Sequence, residues 1–166
     1  VALWISRRYE NAGLMPFDGS WSRSFKVGDA VGRNILGFLP GKREASKEMY
    51  VIIAAHYDSH GIIDGNLYPG ADNNASGVVA MLSVADMFRK MKDLGRSYGK
   101  NIIFVATDAK EKNSAGAEAL MDDIRNGRLK DPVDGETITM DRIRSTVVLD
   151  ILGSTLEPIH KDRKDF

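Results

Sequence analysis

His56-Tyr57-Asp58 places an imidazole and a carboxylate two residues apart. Asp72-Asn73-Asn74 adds an acid and two carboxamides, Asp108 and Glu111 lie either side of Lys110, and Asp150 closes a later segment. An imidazole and several carboxylates gathered at one place lose hydration and repel one another, a cost that a bound cation offsets. Mixed nitrogen and oxygen donors of this kind suit zinc. Asp58 is spaced to hold the ring of His56 from behind. The chain contains no cysteine, which excludes thiolate metal sites, cysteine nucleophiles and disulfides.

These residues meet only if the elements carrying them converge. Residues 50–55, 101–106 and 146–149 are nearly continuous apolar runs, the pattern of strands covered on both faces. Between them, residues 75–94 repeat apolar side chains at Val78, Met81, Leu82, Ala85 and Phe88, one face of a helix, with Asn74 or Ser76 able to cap its start. Residues 115–125 form a shorter helix that stops at Asn126-Gly127. Residues 1–12 read as a helix with Leu3, Trp4 and Tyr9 inward. Residues 21–27 and 33–39 read as strands around Gly28-Asp29, and Pro40-Gly41-Lys42-Arg43 as a turn. The alternation predicts an α/β fold, a parallel sheet with helices on its faces. Sites in such sheets form past the carboxyl ends of the strands. His56, the Asp108-Ala109-Lys110-Glu111 segment and Asp150 each follow one of the three runs, which are expected to be neighbours and mostly buried.

Other polar residues have plainer readings. His60 is a loop residue, Asp64 a turn residue and His160 a surface residue beside a charged tail. Asp108 ends its strand and bonds the loop that follows. Met81, Met87 and Met91 are packing residues, with Met87 exposed, and Trp4 and Trp21 belong to the core. Lys and Arg number 23, as do Asp and Glu. That balance removes long-range attraction to nucleic acid or to an anionic membrane. No apolar run approaches the roughly 20 residues of a membrane span. A length of 166 residues suits one domain. The opening Val1-Ala2-Leu3-Trp4-Ile5 reads as the middle of a helix, which predicts a preceding segment, a signal peptide among the options.

Four segments in order, Ala55-His56-Tyr57-Asp58-Ser59, residues 69–77, residues 104–116 and Val148-Leu149-Asp150, resemble the zinc-dependent aminopeptidase family, peptidase family M28. That family also holds glutaminyl cyclases and glutamate carboxypeptidases. The resemblance extends from the N-terminal helix through Asn34-Ile35-Leu36-Gly37 to Asp150. It implies a zinc-exopeptidase (phosphorylase/hydrolase-like) α/β fold, a mostly parallel mixed sheet sandwiched between helices. It further implies two zinc ions, a peptide substrate and export to the periplasm or outside the cell. By resemblance, His56 is a ligand of the first zinc, Asp58 the acid that orients it, Glu111 a ligand of the second zinc, and Asp150 the last ligand of the first.

The chain also departs from that pattern. Asn73 occupies the place of the acid that bridges the two metals, with Asp72 one residue earlier as a stand-in. Lys110 occupies the place of the glutamate that activates water. The family's distal histidine has no counterpart, since His160 follows Asp150 too soon, and the resemblance implies a domain that continues beyond this point. An asparagine is a poor bridge between cations, and a protonated lysine neither accepts a proton from water nor tolerates a nearby metal. The expectation is at most one weakly held zinc, with His56 and Asp150 as its best ligands. Lys110 is expected to turn inward and pair with Glu111 or Asp72. Two functions follow: a catalytically impaired metallo-exopeptidase, or a binding or scaffold protein on the same fold. The transferrin receptor and nicastrin types are examples of the second. Glutaminyl cyclase chemistry demands the same acids at positions 73 and 110 and fits no better.

Overall fold

Period-two alternation explains why the central strands are apolar on both faces. Residues 1–42, 49–96 and 99–153 are described here in a computed structural model. Arg43 of the expected turn and His160 lie outside them. The elements are α1 (Ala2–Asn11), β1 (Ser22–Val27), β2 (Ala30–Leu39), β3 (Tyr50–His56), β4 (Gly61–Ile63), β5 (Asn66–Tyr68), α2 (Ser76–Asp93), β6 (Asn101–Thr107), α3 (Ala115–Arg125) and β7 (Ile143–Val148). An irregular π-type turn, Ala71–Ala75, leads into α2, and Asn73 and Asn74 leave helical dihedrals within it.

Five strands form one sheet in the order β1-β2-β6-β3-β7. β3 runs parallel to both β6 and β7, while β1 and β2 add an antiparallel flank. The result is a mixed α/β sheet with helices on its faces. On one face Ile35, Ile53, Ala55, Ile102 and Phe104 pack against Tyr9 of α1 and Val78, Met81, Leu82 and Ala85 of α2. On the other, Leu36, Phe38, Ile52, Ile103 and Val105 pack against Leu120 and Ile124 of α3, with Phe17, Leu129 and Ile138. Each fully buried large apolar side chain contributes roughly 1.5–3 kcal/mol. Gly37 is required where Tyr9 crosses β2, since a Cβ there would lie 2.7 Å from Leu14 Cδ1 and 2.9 Å from the Tyr9 ring. The small sheet β4-β5 stands apart as a hairpin, and Asp64 occupies its turn.

Three expectations need correction. Leu3 and Trp4 are exposed; Tyr9 is buried as expected, and Ile5 joins it in their place. Positions 5 and 9 are one helical turn apart, so they share the face that meets β2. β2 begins at Ala30, three residues earlier than its apolar stretch, because an antiparallel hairpin with β1 carries the ladder beyond the core. The third run, unlike the first two, is not buried. Val147 is 46% exposed and Val148 67%, since β7 is an edge strand and pairs only with β3 among the described residues. Trp21 packs at the core margin beside Tyr9, Met81 is buried and Met87 exposed, as read from the sequence.

Candidate functional site

Strand register brings the expected residues together. Parallel pairing sets His56 opposite Thr107 and Ala54 opposite Val148. The Leu149 N–H then donates to Ala54 O at 2.8 Å, which carries Asp150 level with His56. Three strand ends therefore share one rim.

His56 is buried, at 5% exposure. Its Nδ1 lies 3.2 Å from the Asp58 carbonyl and 3.4 Å from Asp58 Oδ1. Its Nε2 lies 3.0 Å from Asn73 Oδ1 and 3.3 Å from Asp150 Oδ1. Asp58 Oδ2 accepts the Glu111 backbone N–H at 3.3 Å, while Oδ1 is buried without a hydrogen bond of good geometry. Lys110 turns inward, but its partner is not Glu111 or Asp72. Nζ sits 3.0 Å from Asp150 Oδ2, each side chain about one-third exposed. Burial alone would push the Asp150 carboxyl up, but Lys110, aided by His56, outweighs it and holds the group below its ordinary value.

Glu111 points elsewhere. Its Oε2 contacts His60 Nδ1 at 3.2 Å, and His60 stacks edge-on against Tyr68 of the hairpin. His60 lies in a loop, as read from the sequence, and is also the side chain that Glu111 contacts. Asp72 also stays out of the cluster. Its Oδ1 accepts the Gly153 N–H at 2.6 Å, and the Ser76 hydroxyl donates to its backbone carbonyl at 2.7 Å. An acid one residue off the expected place faces the other way because adjacent side chains in this turn diverge.

Two asparagines position the rim. Asn74 is 1% exposed. Its Nδ2 donates to Leu149 O at 2.8 Å and more weakly to His56 O at 3.4 Å, while Oδ1 accepts the N–H groups of Gly77 at 3.1 Å and Ile151 at 3.2 Å. One carboxamide thus ties the ends of β3 and β7 to the start of α2. Neither capping option holds the N-cap position, which is Ala75; Asn74 instead bonds an N–H of the first turn from one residue earlier, and Ser76 turns back to Asp72. Gly77 permits this closeness, because a Cβ there would collide with Asn74 Oδ1 and Leu149 O. Asn34, buried in β2, donates to Gly116 O at 2.7 Å and accepts the Asp108 N–H at 3.1 Å. Asp108 bonds the Ala109 and Arg33 N–H groups. The signal available in the sequence was an asparagine inside an apolar strand, where its side chain has no place unless it bonds backbone.

The donor set does not fit zinc. Among the described residues no group of three His, Cys, Asp or Glu side chains is arranged to hold a metal. His56 Nε2 is already packed against two oxygens, Asn73 Oδ1 at 3.0 Å and Asp150 Oδ1 at 3.3 Å. The Lys110 ammonium already occupies an oxygen of Asp150, and Glu111 is turned to His60. A cavity of about 120 Å³ beside the rim is lined by His56, Lys110 and Asp150 together with Ala54, Ala117 and Val148. A larger groove of about 610 Å³, beside β1 and α3, shares no residue with it. Two of that groove's cations, Arg23 and Arg128, are engaged by Asp123.

A mixed sheet with helices on its faces and a histidine–carboxylate rim at the parallel strand ends defines the class of α/β exopeptidase-like domains. Peptidase family M28 matches residues 34–161, and the chain belongs to that family. Solved structures share the fold: a glutaminyl cyclase from Macrostomum lignano (TM-score 0.66, 19% identity, covering 92% of this chain and 46% of that one) and LapB from Legionella pneumophila (TM-score 0.63, 18% identity, covering 90% and 36%). In sequence, the chain is similar to BOS complex subunit NCLN of Gallus gallus, 33% identical over 104 residues, and to nicalin of Caenorhabditis elegans, 35% identical over 96 residues. The matches cover 62% and 57% of this chain but only 17% and 16% of those proteins.

Proposed function

We propose that this domain is a non-catalytic binding or scaffold module on the M28 peptidase fold, contributing to a protein complex rather than hydrolysing peptides. The observation that carries this reading is the Lys110–Asp150 ion pair at 3.0 Å. At the position where the resemblance expects a base to activate water stands a cation already engaged with a carboxylate. A protonated ammonium accepts no proton, so general-base chemistry has no agent there. Asn73, hydrogen-bonded to His56, takes away the second requirement, an acid able to bridge two metals. The similarity to proteins named as BOS complex subunits supports protein partners of that kind. Export of the domain, implied by the family resemblance, is part of the same reading. No helix among the described residues is long and apolar enough to cross a membrane. The exposed apolar flank of β7, with Val148, Ile151 and Leu152, is the side on which we expect the domain to be completed by further structure.

The test has two arms. The purified full chain is assayed on aminoacyl 4-nitroanilides with a chelator and with added zinc, and no turnover above the blank is expected in either. Co-expression with the other subunits of a BOS complex is expected to give a co-purifying assembly. Zinc-dependent turnover at rates ordinary for enzymes would overturn the proposal.

A further inference from the structure

Four charged or ionisable groups form a ladder across the three strand ends. Lys110 Nζ meets Asp150 Oδ2, Asp150 Oδ1 meets His56 Nε2, and His56 Nδ1 faces Asp58. The backbone on either side of the first rung takes unusual dihedrals. Ala109, immediately before Lys110, has φ 56°, and Ile151, immediately after Asp150, has φ 50°. Residues with a Cβ enter this left-handed region only at a cost, and a β-branched residue rarely does. Strain thus flanks both ends of the ion pair, as it does where surrounding structure imposes a geometry.

We propose that the Lys110 ammonium is the resident cation of this rim, supplying internally the positive charge that carboxylates clustered at a strand end require, and that it thereby keeps a divalent metal from the Asp150–His56 pair. The inference rests on the non-catalytic reading above and specifies its physical basis. Asp150 is the carboxylate bridging Lys110 and His56, and both its oxygens are engaged. A divalent ion entering there would stand within a few ångströms of a fixed ammonium, whose repulsion grows as solvent is excluded. The apolar members of the small cavity's lining, Ala54, Ala117 and Val148, suit the methylene stem of a lysine that delivers its charge to a carboxylate.

Thermal unfolding of the full chain tests this, with chelator and with excess zinc. The unmodified chain is expected to show the same Tm in both. Lys110→Met, which keeps the stem and drops the charge, is expected to lower Tm by about 2–4 °C, a modest value because the pair is partly solvated. Lys110→Arg is expected to retain most of the Tm, which separates charge from packing. The double variant Asn73→Asp/Lys110→Glu is expected to be less stable in chelator. It should regain about 5 °C or more when zinc is about 100 times its dissociation constant. A zinc-raised Tm in the unmodified chain, or a Lys110→Met variant as stable as the original, would overturn the inference. So would a folded double variant indifferent to zinc. Should the double variant not fold, the first two arms still decide the matter. Peptide turnover by the unmodified chain would instead sink the preceding reading.

Discussion

Tyr50 and His56 begin and end the same strand, and the polar groups around them are settled in different ways. At the Tyr50 end, the hydroxyl donates to Asp131 Oδ2 at 2.8 Å, and Asp131 Oδ1 accepts the Val133 N–H at 2.8 Å. The Asp131 backbone is held by Glu136 and Gly135, and Arg142 covers the Tyr50 ring at 5.2 Å. Burial, reinforced by Asp131, keeps the tyrosine hydroxyl protonated well above its usual range, so it remains a donor. At the His56 end, one Asp58 oxygen lacks a good hydrogen bond, both ring nitrogens face acceptors, and strained residues flank the ion pair. A closed polar network is what a fold needs for stability. An unfinished, strained one is what functional sites show, where local rules are broken for something other than stability.

Substitutions at the two ends test that contrast. The largest effect is expected at Asn74, whose single amide holds three elements. Asn74→Ala leaves the N–H groups of Gly77 and Ile151 and the Leu149 carbonyl without their partner and should cost about 3 kcal/mol in denaturant unfolding. A loss below about 1 kcal/mol would show that the rim is held by strand pairing alone. Next is Tyr50→Phe, which strands a carboxylate oxygen of Asp131, a residue only 4% exposed. A cost of about 2 kcal/mol is expected, and a neutral result would break the claim that this end is the structural one. Lys110→Met should cost about 1 kcal/mol and no more, because the pair with Asp150 is one-third exposed and screened by water and salt. The smallest effect is expected at Ile151. Replacing it with glycine relieves φ 50° at a half-exposed position and should raise stability by up to about 1 kcal/mol. A loss of similar size would mean that Ile151 is held by packing and not strained.

Much of this arrangement was legible in the order of residues. The strands at 50–55 and 101–106 and the helix at 75–94 announce themselves because burial on both sheet faces, or on one helix face, leaves a periodic apolar record. The rule that sites lie past parallel strand ends brings His56, Glu111 and Asp150 to one rim. The structure joins His56 to Asp150 there, but it is Lys110 that completes the chain of contacts while Glu111 turns to His60. The exposure of β7 left no such record. Thr146-Val147-Val148-Leu149 is apolar whether or not a further layer covers it, and only the strand order shows that it forms an edge.

The sequence by itself determined the α/β fold and the rim, because backbone periodicity and residue type are local properties, while only the resemblance to the M28 family implied which acids are replaced at Asn73 and Lys110. Tertiary structure decided the partners. Lys110 reaches Asp150 rather than Glu111 or Asp72, while Glu111 contacts His60 and Asp72 accepts from Gly153. Only the fold shows that Asn74 and Asn34 are the pins of the site. A side-chain amide gains its role from which backbone groups converge on it, and those groups come from segments up to 82 residues away in the chain.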